Sequence, residues 1–108
     1  MTTKASVTIA QGGTISGAIN SGGNSIIRID FPAMTGTALT LIGGDLDTTP
    51  TMKVVGDKDA ALSIASPSGR SVALPPFLTY GYKCLRLVSG SAEATPRLIS
   101  VVMNDYLG

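Results

Sequence analysis

A chain of 108 residues with one cysteine and no histidine suits one domain and leaves little room for two. Eight Lys and Arg stand against seven Asp and Glu. The basic residues are scattered as Lys4, Arg28, Lys53, Lys58, Arg70, Lys83, Arg86 and Arg97, which argues against the clustered cationic surface of a nucleic-acid binder. The missing histidine excludes a Ser-His-Asp triad and leaves zinc too few ligands.

In chain order the apolar period is two. Lys4–Ala10 sets Ala5, Val7 and Ile9 on one face. Thr14–Ile19 continues through Ile15, Gly17 and Ile19, and Ser25–Phe31 turns Ile27, Ile29 and Phe31 inward against Arg28 and Asp30. Ala38–Gly44 is nearly all apolar, as a strand buried on both sides would be. Further runs follow at Thr51–Asp57, Ala60–Ser66, Arg70–Pro75, Tyr82–Gly90 and Arg97–Met103. Turns rich in Gly, Asn, Asp, Ser and Pro separate them. The stretch SPSGRS (66–71) predicts a hairpin joining Ala60–Ala65 to Ser71–Leu74. One helical turn is expected near Pro75–Gly81. No run approaches the roughly 18 apolar residues of a membrane helix, and no signal-peptide pattern opens the chain.

The expected fold is therefore all-β: a jelly-roll-like or other β-sandwich of about eight short antiparallel strands in a single domain over residues 1–108. Residues 1–6 are read as an N-terminal arm. The expected core includes Val7, Ile9, Ile27, Ile29, Phe31, Leu39, Leu41, Val54, Leu62, Ile64, Val72, Leu74, Phe77, Leu85, Leu87, Ile99 and Val101.

Candidate chemistry is sparse. Asp45 and Asp47, and again Asp57 and Asp59, are spaced i, i+2. Such pairs are weak calcium candidates, since Ca²⁺ takes several oxygen ligands. The competing reading is solvated turns, favoured because the ligand series of an EF-hand is missing. Tyr80 and Tyr82 straddle Gly81 and, with Tyr106, are the residues suited to stacking on a sugar; packing is the competing reading. Cys84 has no imidazole to activate it and reads as a small buried hydrophobe. Neither a catalytic group nor a cofactor is expected, and a structural or binding role follows by elimination.

The segment GRSVALPPFLTYGYKCLRLVSGSAEATPRLISVVM (69–103) carries a resemblance. Its Val72, Leu74, Pro75, Phe77, Tyr82, Leu85, Arg86, Ser89, Gly90 and Arg97 fall in the order of the C-terminal half of small virion structural proteins of tailed bacteriophages. IIRIDFPAMTGTALTLIGG (26–44) is similar to an earlier piece of that family, so the likeness spans about Ser25 to Met103. The stretch DLDTTPTMKVVGDKDAALSIAS (45–66) departs from it, lacking the family's aromatics around an Asp-Gly turn. The resemblance implies a sandwich used as a particle component, first of all a capsid decoration (cement) protein. Its partners would be the major capsid protein or other virion proteins, and a homo-oligomer, a trimer first, is expected. It implies location in the virion after synthesis in the host cytoplasm, with neither nucleic acid nor membrane as partner. Expected contact residues are Pro75, Pro76, Phe77, Tyr80 and Tyr82, the arm from Thr2 to Ser6, and Arg86 and Arg97. The alternatives are a neck, tail or fibre-base component and a carbohydrate-binding module.

Overall fold

The computed structural model describes residues 2–46, 48–56 and 60–104. The period-two runs become nine strands: β1 (Thr2–Ile9), β2 (Ile19–Asn20), β3 (Ser25–Asp30), β4 (Ala38–Gly44), β5 (Lys53–Val54), β6 (Ile64–Ala65), β7 (Ser71–Ala73), β8 (Cys84–Ser89) and β9 (Arg97–Asn104). The only helical elements among the described residues are single 3₁₀ turns at Thr49–Thr51 and Pro76–Leu78. One sheet runs β1-β9-β3-β7; the other runs β2-β8-β4-β5, with β6 also on β4.

All strand pairs are antiparallel. First pairs with last, second with second-last, β3 with β7, and β4 with β5 and β6. That is one long hairpin rolled into two facing sheets, the jelly-roll solution to exposed sheet edges. The fold is an all-β sandwich. Its core lies between the sheets, where Ile9, Ile29, Leu39, Leu41, Leu85, Leu87, Ile99 and Val101 are fully buried. Each such side chain contributes about 1.5–3 kcal/mol before entropy.

Several expectations need correction. Thr2–Ser6 is not an arm: it is the first half of β1, in register with β9 from Thr2↔Asn104 to Ser6↔Ser100. The β9 backbone takes a partner on each side, and this segment supplies one of them. Ile26 is buried and Ile27 only partly so, because a bulge between Ile26 and Arg28 shifts the register against β9. Val54 is 57% exposed while Val55 is buried; the Val55 N–H bonds to Leu41 O and carries its side chain inward. Ile15 faces out, and Leu62 and Val72 pack at the core margin. Phe77 is 61% exposed, because the two prolines before it end the strand and start a 3₁₀ turn.

SPSGRS is likewise no hairpin. β6 pairs with Ala38 and Leu39 of β4, whereas β7 pairs with Arg28–Asp30 of β3 in the other sheet. Ser66 at φ 50° starts the turn. Its N–H bonds to Thr37 O, and the Met34 N–H donates to Ser68 Oγ. The turn thus carries the chain between sheets.

One end of the sandwich is closed by a buried carboxylate. Glu93 is 1% exposed. It accepts the N–H groups of Thr35 (2.8 Å) and Gly36 (3.0 Å), the Ser89 hydroxyl (2.7 Å) and Arg97 Nε (2.9 Å). Its own backbone pairs with Gly12 and Gly13. Burial alone would raise its pKa; the bonds from Thr35, Ser89, Gly36 and Arg97 outweigh burial and hold it at about 2. Gly36 is obligatory here, since a Cβ would run into Ser89 Oγ.

The ionised form of Glu93 is thus favoured by folding. Its contribution is present above the ordinary pKa of 4.5 and is lost as pH falls towards about 2. The shift corresponds to roughly 3 kcal/mol. Chemical denaturation from pH 6 to pH 2 should show that decline. Glu93→Gln should lower stability at pH 7 by about 2–4 kcal/mol and flatten most of the decline. Exposed Asp30, held low chiefly by the Ser71 hydroxyl, leaves a residual slope of the same sign.

Candidate functional site

The opposite end is open. There the corner between β7 and β8 meets the segment after β4 across a groove of about 620 Å³. Pro75 and Pro76 fix the corner, which folds through bonds from Leu78 N to Pro75 O, Tyr80 N to Pro76 O and Tyr82 N to Thr79 O. Thr79 is fully buried, and its hydroxyl accepts the Ile26 N–H at 2.7 Å. The Gly81 N–H bonds to Gly23 O at 3.0 Å, with Gly81 at φ +93°, where a glycine is favoured. The Ser21 hydroxyl donates to Tyr82 O at 2.6 Å. The corner is therefore anchored to β3 and to the β2–β3 turn.

Phe77, Leu78, Tyr80, Gly81 and Tyr82 form one wall of the groove. Gly43, Gly44, Asp45, Thr51, Lys53 and Gly56 supply the floor and the other wall. The Tyr82 ring lies against Gly43, where an added Cβ would sit 2.7 Å from Tyr82 Cδ1 and 2.8 Å from Leu85 Cδ2. The 3₁₀ turn that places Thr51 is closed by its N–H and its hydroxyl, both on Thr48 O. Two exposed rings, a carboxylate and an ammonium thus border a bed of glycines. Such a set suits stacking and hydrogen bonding to a bound molecule.

A second surface stands on the outward face of the β2-β8-β4-β5 sheet. Ile15 bridges to Val88, which pairs with Thr40; in the next row Arg86 pairs with Ile42, and Ile42 with Val54. Partners directly opposite share a face. Ile15 (41%) and Val54 (57%) are exposed, and Ile42 and Val88 half-buried. Arg86 reaches across to Ser16 O at 3.0 Å. Outward sheet positions are commonly polar, and here they form an aliphatic patch around one guanidinium.

The structure gathers Phe77, Tyr80 and Tyr82 around the groove, with Pro75 and Pro76 exposed beside them. It separates Arg86, on the sheet face, from Arg97, which serves the Glu93 clamp at the far end. Asp45 lines the groove; Asp47, Asp57 and Asp59 lie outside the described residues. Among the described residues no three His, Cys, Asp or Glu side chains cluster as a metal site would need. Cys84 is buried, with its thiol 3.3 Å from Asn20 Oδ1. Sequence reasoning missed Lys53, Gly43 and the aliphatic face. The alternation in β4 and the valine pair at 54–55 held the signal for that face, but short strands leave the inward parity open.

No protein-family model matches the chain, and no curated protein matches its sequence. Solved structures do share its shape. A chitosan-binding module from a chitosanase/glucanase of Paenibacillus sp. IK-5 aligns over 95% of this chain and 92% of its own, with a TM-score of 0.50 and 14% identity. The Yersinia pseudotuberculosis-derived mitogen aligns over 98% and 86%, with a TM-score of 0.46 and 10% identity. A disulfide-linked pilus of Bacillus endospore appendages aligns over 97% and 88%, with a TM-score of 0.43 and 14% identity. At such identity the likeness to the binding module is one of fold.

The contact between Gly43 and Tyr82 makes a prediction. Gly43→Ala should displace the Tyr82 ring, lower stability by about 1–3 kcal/mol and change the tyrosine fluorescence. Thermal melting and emission spectra of the variant check it.

Proposed function

We propose that this chain is a non-enzymatic component of a tailed-bacteriophage particle, a decoration protein that binds the assembled capsid shell. In this reading the outward face of the β2-β8-β4-β5 sheet meets the shell. The aliphatic patch of Ile15, Ile42, Val54 and Val88 around Arg86 carries the reading. It combines an apolar centre with one arginine and little other charge, the composition favoured at the middle of protein interfaces. The resemblance of residues 25–103 to small phage virion proteins supplies the partner class.

The mechanism is mass action. A protein that binds the closed shell but not its free subunits stabilises the shell by its binding free energy. Each contact can be modest, because many copies act on one particle. Pro75, Pro76 and Phe77 at the sandwich end would then meet a neighbouring copy or remain on the particle surface.

Quantitative mass spectrometry of purified particles tests the reading. A simple ratio to the major capsid protein, one copy per subunit or a small fraction of that, is expected. A dozen copies or fewer would assign the chain to the neck or tail instead, and absence from particles would overturn the reading. Ile42→Glu should weaken shell binding more than tenfold in a co-sedimentation assay. Its melting temperature should stay close to that of the parent chain, since the side chain points outward.

A further inference from the structure

The groove at the open end is a different surface from the sheet face assigned to the shell. We propose that it binds a glycan, one pyranose ring stacking on Tyr80 while its hydroxyl groups bond to Asp45 and Lys53. The exposed rings, the polar groups facing them and the shape of the groove carry this. Phe77 and Tyr80 are 61% and 44% exposed on a corner that is otherwise anchored, so their rings are presented without a loop having to order first. An aromatic face complements the C–H face of a sugar ring, and a pre-positioned one costs little ordering entropy on binding.

The polar groups sit on the facing wall. Asp45 accepts hydrogen bonds and Lys53 donates them. Alternating donors and acceptors are what a polyhydroxylated ligand requires, whereas an apolar peptide side chain would leave both charges buried and unpaired. A Cβ at Gly81 would meet nothing within 4 Å, so that part of the rim is open, and the volume of about 620 Å³ falls within the range of small-molecule sites. The groove is largely open to solvent, which suits an internal segment of a polysaccharide as well as a free end.

The test uses the whole chain, which has no tryptophan, and two of its three tyrosines, Tyr80 and Tyr82, line the groove. Chitohexaose, cellohexaose, maltohexaose and polysaccharide purified from host cells would be titrated by calorimetry and by tyrosine emission. Saturable binding of at least one probe, with a Kd of about 1 mM or tighter, is expected. Tyr80→Ala and Asp45→Ala should each weaken it at least fivefold with unchanged melting temperature, and Ile42→Glu should leave it unaltered. Lack of saturable binding by all four probes overturns the proposal, as does binding that survives Tyr80→Ala and Asp45→Ala. Because Ile42→Glu perturbs the shell face alone, failure of the glycan site and failure of the shell reading are read separately.

Discussion

The buried carboxylate of Glu93 governs how this sandwich closes. Its neighbours are Thr35 and Gly36 on the β3–β4 connection, Ser89 at the end of β8 and Arg97 at the start of β9. Both connections pass from one sheet to the other. One ionised group therefore pins two crossovers and sets the spacing of the sheets at that end. A charge so deeply buried is tolerable only when its oxygens are saturated with donors, and here four donors converge on them. Gly36 follows from the same requirement, since its missing side chain admits the Ser89 hydroxyl.

Closure at one end leaves the other free to vary. There the links are hydrogen bonds that tie the corner down: from Ile26 N–H of β3 to the Thr79 hydroxyl, from the Ser21 hydroxyl to Tyr82 O, and from Gly81 N–H to Gly23 O. They hold the backbone of the corner while Phe77 and Tyr80 stay exposed. The outcome is a rigid rim around an open groove. The molecule thus divides into a polar, sealed end, an open aromatic end and an outward sheet face that is aliphatic around Arg86.

Much of the fold was legible, because period two is a local property. The runs at Ser25–Phe31 and Tyr82–Gly90 each contain the strand they suggest, Lys4–Ala10 covers all but the first two residues of β1, and the helical turn near Pro75–Gly81 appears as Pro76–Leu78. Parity was the weaker reading. In β3 a bulge buries Ile26 in place of Ile27, and in the two-residue β5 the side chain that turns inward is that of the next residue, Val55. Of the site, the tyrosines and the proline corner were visible in the sequence as candidates. Lys53 and Gly43 were not, since nothing in their neighbourhood along the chain distinguishes them from ordinary strand residues.

By itself, the sequence determined an all-β chain of about eight short strands, the turns between them, and the want of histidine and of clustered charge. These follow from side-chain alternation, from the backbone freedom of Gly and Pro, and from composition. Only the tertiary structure decided that SPSGRS crosses between sheets, that Thr2–Ser6 pairs with β9, and that Arg97 serves Glu93 while Arg86 faces outward. Those outcomes depend on which strands lie side by side. In a rolled hairpin the partners lie up to the whole chain apart, so no local pattern records them.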